Sequence, residues 1–248
     1  MKKSLYVTAV SCMIAFASFI LPPKHITVFL AGDSTMAEKR TTAYPETGWG
    51  MPFQYMFDST VTVRNLAKNG ASTRSFNTDG LWRKIDDDLK PGDCVLIQFG
   101  HNDEVPTKPT ATTPAEFHNN LVKYITDTRA KEGIPILITP VARRKFDEHA
   151  MIQGTHDQYS AIVRTVAGEQ HVPLIDLDME SQAMLQGYGI EVSKLFYNHL
   201  VPGEHPNFPK GIDDDTHFNE LGARKMAEIV LADIRSLKLE LANRIAHK

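Results

Sequence analysis

Short apolar runs recur along the chain and alternate with stretches whose apolar residues follow a helical period. Five runs have the β-branched and aromatic character of buried strands: residues 26–30, 61–66, 94–99, 134–139 and 172–175. The segments between them have room for helical crossovers. Repeated strand–helix–strand units predict an α/β fold in which a mostly parallel sheet is covered by helices on both faces.

Three of the intervening segments carry helical signatures. Apolar residues share one face of residues 81–89 and of residues 117–130, and Thr113-Pro114 is a typical start for the second helix. Residues 219–235 begin with the capping residue Asn219 and predict a terminal helix. Residues 141–155 and 185–211 fit the alternation poorly, and we interpret them as long loops beside a ligand site.

Composition limits the possible classes of partner. The chain has 248 residues, of which 42% are hydrophobic and 23% charged, with a formal net charge of -3. These values are typical of one soluble globular domain. So small a charge gives no global field that would favour nucleic acid or an anionic membrane surface.

The first residues form a separate segment. Lys2 and Lys3 precede an apolar stretch from Leu5 to Leu21, which is typical of a secretory signal peptide. A permanent membrane anchor is the alternative, but the stretch barely reaches the roughly 18 apolar residues that a spanning helix needs. We therefore predict a signal peptide at 1–21, a single domain at 22–248, a periplasmic or secreted protein, and no membrane association once the leader is removed.

Residues suited to chemistry follow the first three predicted strands. These segments are Gly32-Asp33-Ser34-Thr35, Asn69-Gly70-Ala71-Ser72 and Gly100-His101-Asn102-Asp103. Because the carboxyl ends of parallel strands meet at one edge of the sheet, the three segments should converge. Taken alone, each is also an ordinary strand-end turn.

A fourth segment, Asp214-Asp215-Thr216-His217, supplies a base and an acid. A serine hydroxyl becomes an effective nucleophile when a histidine takes its proton and a carboxylate orients that histidine. Ser34, His217 and Asp214 are candidates for these roles, and by spacing alone Asp213 and Asp215 are alternatives for the acid. No recognisable ligand spacing supports a metal site here.

Together the four segments resemble the SGNH hydrolases, the GDSL-type esterase superfamily. They occur in the order of that superfamily and span nearly the whole predicted domain. Thr35 replaces the leucine that names the group, and the GDST variant resembles the rhamnogalacturonan acetylesterase branch. The resemblance implies a flavodoxin-like three-layer α/β/α sandwich with a five-stranded parallel sheet. No metal and no organic cofactor are implied.

The resemblance also implies roles for individual residues. It implies that Ser34 is the nucleophile, His217 the base and Asp214 its orienter. It further implies that the backbone N–H groups of Ser34 and Gly70 and the side-chain amide of Asn102 stabilise the oxyanion.

Substrate contacts are a weaker expectation. Arg74, Arg143 and Arg144 follow strand ends and could bind uronate carboxylates, although a solvated basic surface explains them equally well. Trp49 could pack on a sugar ring or belong to the core.

The sequence therefore predicts a monomeric serine esterase that removes acetyl groups from an acetylated polysaccharide or oligosaccharide of pectic type. Another SGNH esterase, such as an acetylxylan esterase, a lipase or a thioesterase, is one alternative. A silent glycan-binding domain is the non-enzymatic alternative.

Overall fold

Five parallel strands form the central sheet of the protein, for which a computed structural model describes residues 24–246. The strands are β1 (Ile26–Gly32), β2 (Val61–Asn65), β3 (Cys94–Gln98), β4 (Ile134–Ile138) and β5 (Leu174–Ile175). Their order is β2-β1-β3-β4-β5, and every neighbouring pair is parallel. The predicted fold class is confirmed. The predicted leader lies outside the described residues.

Helices cover both faces of this sheet. They are α1 (Gly50–Phe53), α2 (Thr73–Thr78), α3 (Leu81–Asp88), α4 (Pro114–Ala130), α5 (Asp157–Gln170), α6 (Leu177–Ser193) and α7 (Glu220–Ser236). Thr113 caps α4 by accepting a hydrogen bond from the Glu116 N–H at 3.2 Å. Asn219 caps α7 through the Gly222 N–H at 3.1 Å. The three helices predicted from periodicity, α3, α4 and α7, are confirmed.

Alternate residues of β1 enter two separate cores, as the period of a strand requires. Val28 and Leu30 belong to the core beneath α1, α6 and α7. Phe29 and Ala31 belong to the core beneath α2, α3, α4 and α5. Because both faces are buried, β1 reads as a continuous apolar run.

The structure corrects the prediction of a long loop over residues 185–211. Helix α6 occupies the first part of that stretch, with a kink at Gly189. The strand β6 (Tyr197–Leu200) follows and pairs antiparallel with β7 (Ile212–Phe218). This second sheet is a two-stranded hairpin whose β7 strand carries Asp214 and His217.

Cys94 lies at the start of the central strand β3 and is buried. Burial raises the pKa of its thiol to about 12, so the side chain is an inert core residue. Between residues 24 and 246, none of the helices combines the length and the apolar character needed to cross a membrane.

Candidate active site

Ser34 lies in a tight turn at the carboxyl end of β1. The carboxylate of Asp33 shapes this turn by accepting hydrogen bonds from the backbone N–H and the hydroxyl of Thr35, at 3.0 and 2.9 Å. A Cβ atom on Gly32 would lie 2.9 Å from the carbonyl oxygen of Gln98, so the close approach of β1 to β3 requires glycine at this position. The turn therefore holds Ser34 at the edge of the sheet through the close packing at Gly32 and the buried hydrogen bonds of Asp33.

Ser34 contacts His217 across the two sheets. The Nε2 atom of His217 lies 3.0 Å from the Ser34 hydroxyl oxygen, and its Nδ1 atom lies 2.7 Å from the Asp214 carboxylate. The other oxygen of Asp214 accepts the backbone N–H groups of Thr216 and His217 at 2.7 and 2.9 Å. The structure thus brings together the three residues that were predicted as nucleophile, base and orienter.

Only one of the three consecutive aspartates contacts His217. The carboxylates of Asp213 and Asp215 instead face His199, at 2.6 and 2.9 Å. Asp215 also accepts a hydrogen bond from Arg144 at 2.8 Å. Within residues 24–246, no set of three or more histidine, cysteine, aspartate and glutamate side chains is arranged to hold a metal ion.

The contacts of Asp214 define which tautomer the neutral His217 ring adopts. Burial raises the pKa of Asp214, but the hydrogen bonds from His217 outweigh burial and lower the pKa to about 2. An ionised carboxylate can only accept, so in the neutral imidazole Nδ1 of His217 carries the proton and Nε2 is the free acceptor. This tautomer is the one that can accept the proton of the Ser34 hydroxyl.

Three donors surround the pocket beside the Ser34 hydroxyl. Gly70 lies in the turn after β2 with a φ of 77°, a conformation that favours glycine. In the described part of the chain, the backbone N–H groups of Ser34 and Gly70 donate to no other protein group. The buried amide of Asn102 donates to the Ala71 carbonyl oxygen at 2.9 Å and retains a second hydrogen. All three predicted oxyanion donors therefore border one cavity.

This cavity has a volume of about 460 Å³. Its lining includes Ser34, Gly70, His101, Asn102, Arg143 and His217. A model of the GDSL-like lipase/acylhydrolase family matches residues 30–225, a range that contains all four of the sequence segments described above. The chain belongs to this family. Membership of this family makes the protein a carboxylic ester hydrolase.

Relatives in this family share most of their length with the chain. It is 41% identical over 227 residues to the rhamnogalacturonan acetylesterase RhgT of Bacillus subtilis, covering 91% of this chain and 96% of the relative. It is 33% identical over 220 residues to the probable rhamnogalacturonan acetylesterase YesY of the same organism, covering 88% of this chain and 96% of the relative. A rhamnogalacturonan acetylesterase of Emericella nidulans is 26% identical over 246 residues, covering 88% and 89% of the two chains.

Solved structures of other proteins share the fold. YxiM of Bacillus subtilis superimposes with a TM-score of 0.76 at 28% identity, covering 88% of this chain and 58% of that chain. Axe2, an acetylxylan esterase of Geobacillus stearothermophilus, gives a TM-score of 0.58 at 19% identity, covering 85% and 94% of the two chains. The likeness to Axe2 concerns the fold alone.

Of the three arginines predicted to contact substrate, only one lines the Ser34 cavity. Arg143 lines the Ser34 cavity and pairs with Glu104 at 2.9 Å. Arg144 does not line it, because its side chain is only 7% exposed and is used to hold Asp215 and the Ser193 hydroxyl. Arg74 is also outside the cavity lining, and its guanidinium is paired with Glu116.

Trp49 is a core residue, and the expectation that it contacts a sugar is wrong. Its side chain is fully buried, packs edge-on against Phe53 at 5.3 Å, and donates its indole N–H to Gln98 at 2.7 Å. The alternative of core packing, which the sequence left open, is the one that the structure adopts.

Two residues of the Gly100-His101-Asn102-Asp103 segment make buried hydrogen bonds that hold the loops around the site. Asp103 accepts hydrogen bonds from the Thr73 N–H at 3.0 Å and from the Thr112 hydroxyl at 3.0 Å, which ties together the loops after β2 and β3. His101 lies 3.0 Å from the Val141 carbonyl oxygen, and burial keeps its pKa well below the usual value. Sequence reasoning gave neither side chain a role, although both stand beside Asn102.

Two further side chains of the cavity also escaped sequence reasoning. Lys108 donates to the side-chain oxygen of Asn102. Glu46 forms an ion pair with the buried Lys39 at 2.6 Å. Lys108 is in the same loop as Asn102, which is the only sequence signal that could have suggested it.

Proposed function

We propose that this enzyme removes acetyl groups from rhamnogalacturonan through a serine-based mechanism. The observation that carries the chemistry is the unbroken line of contacts from Ser34 through His217 to Asp214. The observation that favours the substrate is the 41% identity to a rhamnogalacturonan acetylesterase over 91% of the chain.

In the proposed reaction, His217 takes the hydroxyl proton of Ser34 as the oxygen attacks the acetyl carbonyl carbon. The negative charge on the former carbonyl oxygen is stabilised by the N–H groups of Ser34 and Gly70 and by the Asn102 amide. The bond to the sugar oxygen then breaks, and the sugar leaves with the proton from His217. Water, deprotonated by His217, then attacks the acetyl-enzyme. The bond to Ser34 breaks, His217 returns the proton to the Ser34 oxygen, and acetate is released.

The polar character of the cavity fits a carbohydrate ester. His101, Asn102, Lys108 and Arg143 contribute to its lining, whereas a long acyl chain would require an apolar channel. This argues against a lipase or thioesterase. The complete set of hydrogen-bonded residues at Ser34 argues against a silent glycan-binding domain.

Arg143 is the proposed contact for a uronate carboxylate of the pectic backbone. Its side chain is 30% exposed, and only one of its nitrogens is engaged by Glu104. A guanidinium presents five N–H donors in a planar fork, so donors remain for a second carboxylate. The neighbouring groove, of about 420 Å³, also contains Arg143 together with Lys145, which gives an anionic chain a route away from Ser34.

The deciding experiment is acetate release from acetylated rhamnogalacturonan, acetylxylan and p-nitrophenyl acetate, with wild type and Ser34→Ala. We expect the wild type to prefer rhamnogalacturonan and the variant to be inactive on all three. Activity on the small ester alone would contradict the proposed polymer. A preference for acetylxylan would make the alternative carbohydrate esterase the correct assignment.

We also propose that the enzyme acts outside the cytoplasm after loss of residues 1–21. Mass spectrometry of the protein recovered from the expressing cells and their medium tests this. An intact N-terminus on protein recovered from the cytoplasm would contradict it.

A further inference from the structure

Two lysine ammonium groups hold the two sides of the candidate oxyanion hole. Lys39, on the loop that follows Ser34, donates to the side-chain oxygen of Asn69 at 2.8 Å. Lys108 donates to the side-chain oxygen of Asn102. Asn69 directly precedes Gly70, so each lysine contacts a residue that either is a predicted oxyanion donor or adjoins one. Neither lysine has a part in the proton transfers proposed above.

The contact from Lys108 determines which way the Asn102 amide faces. An ammonium group can only donate and a backbone carbonyl can only accept. Lys108 on one side and the Ala71 carbonyl on the other therefore fix the oxygen and the nitrogen of Asn102. A flipped amide would place its NH₂ group against the ammonium and its oxygen against the carbonyl, and both pairs are repulsive. The surviving orientation keeps the second amide hydrogen available for an oxyanion.

The contact from Lys39 links two loops that must keep a fixed separation. Its side chain is only 2% exposed, which is uncommon for lysine because burying a charge is costly without partners. The carboxylate of Glu46 at 2.6 Å and the amide of Asn69 at 2.8 Å are those partners. The buried lysine thereby connects the loop after Ser34 to the turn that presents the Gly70 N–H. An apolar side chain could fill this position without the cost of burying a charge, but it could not bind Glu46 and Asn69. The presence of lysine therefore indicates that these two contacts are needed to hold the loops in place.

We propose that Lys39 and Lys108 are positioning residues that orient the Gly70 and Asn102 donors and add positive charge beside the developing oxyanion. The proposal rests on the oxyanion roles given above and does not depend on which polymer is deacetylated. A fixed donor is effective because it needs no reorientation when charge develops. A cation nearby further polarises the amide that it contacts.

The first test uses Lys108, whose exposed position makes its substitution compatible with folding. The substrate is p-nitrophenyl acetate, which is neutral and has no uronate. We expect Lys108→Met to lower kcat by roughly tenfold with KM within about twofold, a smaller loss than deletion of a donor, and Lys108→Arg to recover most of it. Inactivation by diethyl p-nitrophenyl phosphate, whose phosphoryl oxygen enters the same hole, should slow by a similar factor.

A matched control is Lys68→Met. Lys68 lies in the same loop as Asn69 but pairs with Asp79 at 2.7 Å. We expect this variant to keep the wild-type kcat. An unchanged kcat for Lys108→Met on the neutral ester overturns the proposal for Lys108, even if KM for the acidic polymer rises, because that result assigns the lysine to substrate binding. An equal loss in Lys68→Met also overturns it.

The second test uses Lys39 and removes its counterion at the same time. Lys39→Met alone leaves the partly buried carboxylate of Glu46 without its ion-pair partner, which endangers folding. The double variant Lys39→Met, Glu46→Gln avoids this, and Glu46→Gln alone is its control. We expect the double variant, with a melting temperature near that of the control, to have a kcat on p-nitrophenyl acetate roughly tenfold below it. Equal kcat in the double variant and the control overturns the role of Lys39.

Failure of the wild type on rhamnogalacturonan would affect the substrate proposal alone.

Discussion

At the scale of single residues, the local backbone of β7 decides which of three consecutive aspartates meets His217. Asp213 and Asp215 share one face of the strand, and both contact His199. The pairing with β6 then shifts register, from Asp214 opposite Asn198 to Phe218 opposite Tyr197. Irregularities of this kind re-aim side chains, and here His217 is brought onto the side of Asp214. Spacing along the sequence could not have distinguished the three carboxylates, because the shift depends on β6.

The first prediction concerns Asp214→Asn. The amide can donate to Nδ1 of His217, which would favour the tautomer that cannot accept the Ser34 proton. We expect kcat to fall by about 10³ to 10⁴, as in a comparable triad. Steady-state assays with p-nitrophenyl acetate measure this.

Asp213→Asn is the matched control for that experiment. The Asp213 side chain is 90% exposed and faces His199, so near wild-type kcat is expected. Similar losses in both variants would indicate that the acidic segment as a whole, and not Asp214, supports the base.

The second prediction concerns Asn102→Ala. Removing one oxyanion donor in a comparable site raises the barrier by about 2.7 to 4 kcal/mol, so kcat should fall roughly a hundredfold or more. Circular dichroism should show an unchanged fold. Near wild-type turnover would remove Asn102 from the oxyanion hole.

At the scale of elements, aromatic side chains at both ends of α1 connect this helix to the loops that flank it and to the central sheet. Trp49 packs on Phe53, and Phe53 packs in turn on Phe57 at 5.0 Å. The indole N–H is satisfied by Gln98 of β3. This arrangement makes Trp49 part of the link between the loop after Ser34 and the central sheet.

The third prediction follows from that position. Trp49→Ala should lower the free energy of unfolding by about 3 to 5 kcal/mol, the usual cost of deleting a buried aromatic side chain. Urea unfolding followed by circular dichroism measures the change. Unchanged stability together with a raised KM for the polymer would instead support the interpretation of Trp49 as a sugar contact.

Much of the secondary structure could be predicted from the sequence. The strands β1 to β4 and the helices α3, α4 and α7 have uninterrupted apolar patterns that match their periods. Helix α6 lacks such a pattern, because its exposed face includes Met179, Tyr188 and Val192. The β6–β7 hairpin is also hard to predict, since the acidic run in β7 has no apolar alternation. The burial of Trp49 depends on Gln98 and Phe53, and no local pattern reports such tertiary partners.

At the scale of the whole molecule, the candidate active site is assembled from parts that are distant along the chain. Ser34 and His217 are 183 positions apart, and they come from different sheets. The helices on either side of the hairpin, α6 and α7, pack against the same core as β1. Global stability therefore bears directly on the contact between Ser34 and His217.

The fourth prediction concerns the pH dependence of that stability. Burial, together with a hydrogen bond to Asp233 and its negative charge, raises the pKa of Glu180 to about 7. In the unfolded chain a glutamate titrates near about 4.3. Between these values the folded protein binds the extra proton, so the free energy of unfolding must fall as pH rises through this range. The opposite contribution of Asp214, whose pKa is lowered to about 2, belongs to more acidic conditions.

Glu180→Gln removes the proton equilibrium and retains a donor for Asp233. We expect the variant to lose less stability than the wild type between about pH 5 and pH 8, and to be the more stable protein at the upper end. Urea titrations at several pH values measure both slopes. Glu148→Gln, at a side chain that is 86% exposed, is the control. If the free energy of unfolding changed with pH by the same amount in Glu180→Gln and in the wild type, Glu180 would not be the group responsible for the pH dependence.

The buried thiol of Cys94 gives the protein an internal reporter of sheet opening. A thiolate is needed for alkylation, so iodoacetamide can modify Cys94 only in molecules whose central strand has become exposed to solvent. The chain has one other cysteine, Cys12, and it lies in the predicted leader. By the proposed mechanism, in contrast, ester hydrolysis should stop as soon as the hairpin moves His217 away from Ser34. Hydrolysis and alkylation can be followed in one sample at increasing urea concentrations. Comparing the urea concentrations at which the two signals change would show whether the hairpin separates before the sheet opens, without any engineered label.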